Sequence, residues 1–417
     1  MYRNGNLAAV DVGSTKVCTL VGELAPEGDM RIVGVGISPT AGINRGMVDN
    51  IQQATESILN SVEKAERSSG TRIVSAQVSI SGSHINCMSN RAVVAIPGRN
   101  RPIGPEDVAR VLEAAEAVSI PSDRQVLHVI PRSFLVDGQE CVSDPVGMHG
   151  QRLDVETLIV TGSVAAIQNL TKCVEGAGVQ VEDLVVSCLA SAEAVLEEEE
   201  KRQGVVLADI GGGTTDVCVF AEGSAFHVAI LPVGGYHLTH DLVAGIRAPF
   251  DAAEEAKTLY GHAIPSTIDS EEMVEIDTFG ADRRKSVSRR RMTEILQARV
   301  EEILEMIYMD VRRVGYDELL AAGLVLSGGS ANLPGMDALA EQVLRMPARI
   351  GVPRGLYGLS DILANPAYAT GVGLLHWALH QQPPDGRRRR PTEKVRASSS
   401  WGWLRSIGRW LRFLLPQ

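Results

Sequence analysis

The sequence predicts an α/β protein of two duplicated lobes with an inserted α+β subdomain, followed by a disordered polar linker and an amphipathic C-terminal helix. Three observations carry that expectation. Residues 7–21 read L-A-A-V-D-V-G-S-T-K-V-C-T-L-V, and residues 205–220 return to the pattern as V-V-L-A-D-I-G-G-G-T-T-D-V-C-V-F. The order of strands and helix over residues 1–82 reappears in outline from Val205, with a stretch between that breaks the scheme. Residues 381–400 then lose almost all apolar content before a short segment rich in Trp and Arg. At 417 residues the chain suits roughly three domain-sized units, or two lobes each subdivided.

Each repeat is an apolar run ending in an aspartate (Asp11, Asp209), a turn of Gly, Ser and Thr, and a second β-branched run. Both read as β-hairpins whose turns need glycine for positive φ and for close backbone approach. Gly13, Ser14 and Thr15 in one turn, and Gly211, Gly212, Gly213, Thr214 and Thr215 in the other, would aim N–H groups and hydroxyls into one concavity, as phosphate sites do. The aspartate before each turn is placed to hold a divalent cation through its waters, between the loops. Two related loops, one per half, suggest a nucleotide gripped in the cleft between halves. No G-x-x-x-x-G-K-[ST] occurs, which excludes a P-loop.

The first hairpin is followed by a strand over 31–37, a helix over 50–67 and a strand over 75–81. Residues 84–161 carry turn signals at Pro97-Gly98, Asp137-Gly138 and Asp144-Pro145, a helix over 105–119 and short strands such as 157–161. Helices follow over 169–177 and 191–200, the glutamates ending the second forming a solvated face. A small unit opens on the helix carrying Ala253-Glu254-Glu255-Ala256-Lys257, and residues 280–291 form a basic strip with Arg283, Arg284, Lys285, Arg289, Arg290 and Arg291. A helix over 293–314 leads to residues 324–335, L-V-L-S-G-G-S-A-N-L-P-G, a buried strand running into a glycine turn and a helix start that favours negative charge. Residues 369–374, A-T-G-V-G-L, suit close packing of one helix on another between lobes. The divisions expected are 1–83 with 162–200 and 355–380 for the first lobe, 84–161 for the insertion, and 201–245 with 305–354 for the second lobe. A subdomain over 246–304, a linker over 381–400 and a helix over 401–417 complete the layout.

The hydrophobic share of 44% allows a large core, and an aromatic share of 4% makes it mainly aliphatic. Six scattered cysteines without a C-x-x-C favour a reduced, cytosolic chain, and the first residues carry no secretory signal. The net charge of −11 divides into +7 on residues 383–417 and −18 on the remainder. An acidic body argues against nucleic acid as a partner and turns attention to the tail. The linker reaches roughly 25 Å as a flexible coil. Beyond it, at about 3.6 residues per turn, Trp403, Ile407, Trp410, Leu411 and Leu414 share one helix face, and Arg405, Arg409 and Arg412 the other. That segment is too short to span a bilayer and suits the interface of an anionic membrane. The alternatives are a partner-docking helix or a last core helix; the linker, and three Arg with three Trp, weigh against them.

In order and spacing the two loops and residues 324–335 resemble the phosphate-1, phosphate-2 and adenosine motifs of the actin/Hsp70/sugar-kinase ATPase superfamily. More specific are V-S-I-S-G-S-H-I over 78–85, D-P-V-G-M-H-G-Q-R-L over 144–153 and the amphipathic end. With these the chain resembles the bacterial cell-division FtsA family over residues 5–380 and again in the terminal helix. The resemblance implies an actin-like fold, ATP and Mg2+ as ligands, self-assembly into filaments, attachment of the FtsZ ring to the cytoplasmic face of the inner membrane at the division site, and help in recruiting later division proteins. Carried over, Asp11, Gly13, Ser14, Thr15 and Lys16 match the first phosphate loop, Asp209 and Gly211 to Thr215 the second, and Gly328, Gly329 and Ser330 the adenosine loop. Glu254 and Lys257 match helix positions facing the adenosine, and Gly234 and Gly235 are expected to close on the phosphates. The resemblance also implies that the FtsZ C-terminal peptide meets the 246–304 subdomain, with Lys285 and Arg299 at family contact positions beside Arg289. His237-x-x-His240-Asp241 departs from the family pattern, and two histidines fall short of a zinc site. No water-activating residue is evident, so the expectation is an assembly protein and at most a slow ATPase. The alternatives are a related actin-like ATPase of another assembly system and an Hsp70- or sugar-kinase-type enzyme.

Overall fold

The computed structural model describes residues 6–24, 30–98, 101–280, 284–316, 320–358 and 361–380, with the side chains of 140 and 141 excepted. The linker at 381–400, the helix at 401–417 with all its named Trp, Arg, Ile and Leu residues, and Arg283 lie outside the described residues.

Strands β1 (Asn6–Val12) and β2 (Lys16–Leu24) form the first hairpin, with β3 (Met30–Pro39) antiparallel to β2. The short pair β4 (Ile43–Asn44) and β5 (Met47–Val48) precedes helix α1 (Ile51–Ser69). The Asn50 side chain caps α1 by accepting from the Gln53 N–H, and Gly70 ends it in the left-handed region at φ 65. Its buried stripe of Ala54, Ile58, Val62 and Ala65 has the three-and-four spacing of an amphipathic helix. Strand β6 (Ser75–Ile80) then pairs parallel to β1.

The next segment contains β7 (Asn86–Ala95), α2 (Pro105–Glu116), β8 (Arg124–Val136), β9 (Gln139–Val142) and β10 (Arg152–Ser163). They form a four-stranded antiparallel sheet in the order β7-β10-β8-β9 over its own core of Val108, Val111, Leu112, Phe134, Leu153 and Val155. The expected short strand at 157–161 is part of β10, twelve residues long and paired on both sides. Elements α3 (Val164–Gly176), β11 (Gln180–Val186), α4 (Ser187–Val195) and α5 (Glu198–Gln203) return the chain to the first sheet. The single helix expected over 191–200 is therefore broken. Leu196 and Glu197 are extended, and the Glu197 N–H donates to the Glu200 carboxylate at 2.8 Å. Glu197, Glu198 and Glu199 form the solvated face expected, the first two meeting Arg354 and Lys201, while Glu200 is drawn in by Arg349 at 2.6 Å.

The second half runs β12 (Val205–Ile210), β13 (Thr215–Ala221), β14 (Ser224–Leu231), α6 (Gly235–Ile246), α7 (Phe250–Tyr260), β15 (Met273–Asp277), β16 (Arg284–Ser288) and α8 (Arg289–Arg313). It closes with β17 (Gly323–Ser327), α9 (Met336–Leu344), β18 (Ala348–Ile350), β19 (Leu356–Gly358) and α10 (Ala369–His380). The six-stranded sheet has the order β11-β6-β1-β2-β3-β19, and the five-stranded sheet β14-β13-β12-β17-β18. The duplication is now visible as topology: each Asp-bearing strand is antiparallel to its hairpin partner and parallel to a strand on its other side, β6 for β1 and β17 for β12. Helix α10 lies against α4 and β1, so the close helix packing expected between lobes falls within the first lobe. A Cβ at Gly373 would fall 1.7 Å from the Ala190 carbonyl oxygen, so the two helices cross at backbone distance. Among the described residues no helix is long and apolar enough to cross a membrane.

Candidate nucleotide-binding cleft

The two hairpin turns face each other and share one internal hydrogen bond. The Gly13 N–H donates to the Lys16 carbonyl at 3.0 Å, and the Gly211 N–H to the Thr214 carbonyl at 2.9 Å. None of Gly13, Gly211, Gly212 and Gly213 has a positive φ, contrary to the sequence-based expectation. Close approach is the reason for glycine here. A Cβ on Gly212 would lie 2.2 Å from Thr15 Cγ2, and one on Gly213 2.7 Å from Ser14 Oγ, so the first turn occupies space that side chains on the second would need; a Cβ on Gly13 would lie 2.9 Å from the Lys16 carbonyl of its own turn. Gly328 does require the left-handed region, at φ 83, and its missing Cβ leaves room for Asp209 Oδ1, which would stand 2.4 Å away. The cleft is lined by Asp11, Gly13 to Lys16, Asp209, Gly211 to Thr214, Gly328 and Gly329, together with Asp216 and Thr370. Thr215 faces away from it, its buried hydroxyl donating to the Val233 carbonyl at 2.8 Å.

Gly234 and Gly235 back the second turn: the Gly235 and Tyr236 N–H groups donate to the Gly211 and Gly212 carbonyls at 2.9 and 2.8 Å. Ser330 Oγ donates to the Gly211 carbonyl at 3.1 Å, which ties the loop after β17 to the same turn. That loop passes through a 3₁₀ turn, Gly329–Asn332, before α9 begins, so the expected helix start comes one turn later. Lys257 Nζ donates to Glu254 at 2.6 Å, to the Thr239 hydroxyl at 2.9 Å and to the Gly235 carbonyl at 3.3 Å. Glu254 and Lys257 thus stand behind Gly235 as one polar cluster. Tyr236 bridges the halves, its hydroxyl donating to the Ser14 carbonyl at 3.1 Å. His237 accepts the Gly234 N–H at 3.2 Å and His240 packs on Phe250.

Three carboxylates converge on this cleft, Asp209 and Asp216 buried and Asp11 half-buried. Asp11 accepts from Ser79 at 2.9 Å, Asp209 from Thr370 at 3.0 Å and from Ser191, and Asp216 from Ser81 at 2.8 Å. Burial pushes Asp11 up to about 6 against the pull of Lys16 and Ser79, and the Asp209 charge adds to the rise. Burial, then the Asp209 charge, pushes Asp216 up to about 7. Asp209 is raised by burial and held back by Ser191, Thr370 and Lys16. Lys16 itself donates to the Ala367 carbonyl at 2.6 Å and lies 4.6 Å from the Tyr368 ring centroid. Asp216 Oδ2 is buried with no hydrogen-bond partner among the described residues. An orphaned acceptor beside two other carboxylates fits a divalent cation. No cluster of three or more His, Cys, Asp or Glu side chains among the described residues could hold a metal alone. The donor set therefore suits a cation that keeps several waters and takes phosphate oxygens, as Mg2+ does.

The sequence reading passed over Asp216, although the hairpin register contains the signal. Asp209 stands directly opposite Asp216, whereas in the first hairpin Asp11 stands opposite Cys18. Like charges in that position destabilise a sheet, so the pair calls for a ligand.

A second groove lies between α6 and α8, lined by Asp241, Arg291, Glu294, Ile295, Ala298, Arg299 and Glu302. The expected basic strip divides here between β16 and the first turn of α8. Arg299 forms a bidentate pair with Asp241 at 2.6 and 3.0 Å and also meets Glu302. Arg289 pairs with Glu272 at 2.8 Å and donates to the Tyr260 carbonyl, while Lys285 is exposed on β16.

Comparison with known proteins follows the same outline. Residues 206–373 match the family model of cell division protein FtsA, and residues 82–161 match the SHS2 domain inserted in FtsA. Among solved structures, the PilM-PilN type IV pilus biogenesis complex aligns with a TM-score of 0.64 at 17% identity, over 90% of this chain and 99% of that one. MreB5 of Spiroplasma citri bound to ADP aligns at 0.51 and 12% identity over 89% and 95%, and the MamK double helical filament at 0.52 and 13% over 91% and 99%. These likenesses establish an actin-like fold. Cell division protein FtsA of Pseudomonas aeruginosa is 40% identical over 90% of both chains, and that of Borreliella burgdorferi is 38% identical over 95% of this chain and 98% of its own. The hairpins, the inserted sheet and identity of that extent agree, and the chain belongs to the FtsA family of cell-division proteins.

Proposed function

We propose that this protein binds ATP with Mg2+ in the cleft, assembles into actin-like filaments, and tethers the FtsZ ring to the cytoplasmic face of the inner membrane at the division site, helping to recruit later division proteins. The observation that carries the reading is the convergence of Asp11, Asp209, Asp216 and Lys16 between two turns of matching hydrogen-bond pattern. The phosphates enter where Gly212 meets Thr15, the carboxylates hold the hydrated cation, and Lys16 offsets phosphate charge. The cation supplies charge neutralisation across the phosphates. Gly328, Gly329 and Ser330, with Gly235, Glu254 and Lys257, receive the nucleoside. With no group assigned to activate water, the nucleotide acts as an assembly ligand and turnover is slow at most.

The likeness to a protein solved as a double helical filament supports self-assembly. The FtsZ C-terminal peptide docks beside Lys285, Arg289 and Arg299, where its acidic groups compete with Asp241 for the Arg299 guanidinium. Residues 401–417 lie in the lipid interface through Trp403, Ile407, Trp410, Leu411 and Leu414, with Arg405, Arg409 and Arg412 toward anionic headgroups. Co-sedimentation with anionic liposomes, with and without MgATP and a labelled FtsZ tail peptide, tests the tether. The whole chain should carry the peptide into the pellet, while a chain ending at Gln382 and the Trp410→Glu variant leave it in solution. Equal pelleting of all three would refute it.

A further inference from the structure

The inserted sheet meets the second lobe where β7 runs beside β14, and a cysteine, a histidine and an aspartate come together there. Cys87 Sγ on β7 lies 3.4 Å from His227 Nδ1 on β14, and His227 Nε2 lies 2.7 Å from Asp310 Oδ2 on α8. The Val228 N–H also points at the sulfur, at 3.5 Å, and Asp310 is held from its other side by Arg313 at 2.7 Å. The His227 and Asp310 side chains are 8% and 10% exposed, so this pairing is shielded from water. Burial works against charge on the imidazole, but the hydrogen bonds to Asp310 and Cys87 overcome it and hold His227 up at about 9. At neutral pH both ring nitrogens therefore donate, one to the carboxylate and one to the sulfur. Among the five cysteines whose side chains are described, Cys87 alone is not fully buried. Burial raises the Cys18, Cys173 and Cys188 thiols, Cys18 to about 12, which leaves them inert.

We propose that Cys87 is a peroxide-reactive thiol, with His227 as its proton donor, built into the joint between the inserted sheet and the second lobe. The thiolate attacks one oxygen of hydrogen peroxide, and an S–O bond forms as the O–O bond breaks. The leaving hydroxide takes the Nδ1 proton of His227 and departs as water. Sulfur gives up two electrons and peroxide accepts them; the products are Cys87 sulfenic acid, neutral His227 and one water. The added oxygen appears where the sulfur now fills the β7–β14 contact, so the modification acts on that joint.

The test treats the whole chain with hydrogen peroxide in the presence of dimedone, which traps sulfenic acid, and follows each cysteine peptide by mass spectrometry. Cys87 should be trapped at least tenfold faster than Cys18, Cys173, Cys188 or Cys218, and His227→Gln should slow it at least tenfold with circular dichroism unchanged. If that variant does not fold, the rate of wild-type Cys87 at pH 6 is compared with that of glutathione, and the expected excess is again at least tenfold. Trapping of Cys87 no faster than glutathione, or trapping unaffected in a folded His227→Gln variant, overturns the proposal.

Discussion

Asp216 shows how a single residue can be legible in a sequence only after its neighbour across the strand is known. Seven positions after Asp209 it looks like an ordinary polar residue in an apolar run, yet the register sets it opposite Asp209 and Ser81 fixes one of its oxygens. Removing its charge relieves repulsion inside the sheet and, on the proposed function, removes a cation ligand. Asp216→Asn should therefore leave the nucleotide-free protein as stable or more stable, by up to about 1 kcal/mol, while weakening MgATP binding about tenfold or more. Thermal unfolding and calorimetric titration of the same preparation check both halves of that expectation. Thr215 teaches the opposite lesson: its type and position fit a phosphate loop, but its hydroxyl is turned to Val233. Of the two reasons for glycine in the turns, positive φ fails and close approach holds: at Gly212 and Gly213 contact with the opposite turn excludes a side chain.

At the scale of elements, periodicity located helices well where one face is buried, as in α1, and poorly where ion pairs decide the boundary. The break between α4 and α5 is of the second kind, because Glu200, held by Arg349 from far along the chain, accepts the Glu197 N–H at the start of α5. The stretch A-T-G-V-G-L was read for its small residues, and α10 crosses α4 through them. Gly373→Ala would force a methyl group onto the Ala190 carbonyl, and about 1–3 kcal/mol of stability should be lost; a thermal midpoint equal to wild type would contradict the crossing. The His227–Asp310 pair links β14 to α8. A histidine held at about 9 contributes stability that is complete below its unfolded value near 6.5 and disappears as pH rises through 9. Denaturant titrations from pH 6 to 10 should show that loss, on the order of 2 kcal/mol, and His227→Gln should flatten it.

The whole molecule repeats a hairpin-and-parallel-strand unit, and the repeated Asp-x-Gly turns of the sequence mark that arrangement. What the sequence could not supply was how the halves meet, since that depends on contacts between residues far apart in the chain: Thr15 with Gly212, Ser81 with Asp216, Tyr236 with Ser14. All three lie around one cleft, and we propose that a nucleotide bound there contacts both halves. Isothermal titration of MgATP into wild type and Gly212→Asp tests it most directly. The wild type should bind, and the variant, with a carboxylate placed between the two turns, should show no binding while its circular dichroism remains that of a folded protein. Equal affinity of the two proteins would mean that the nucleotide does not pass between the turns.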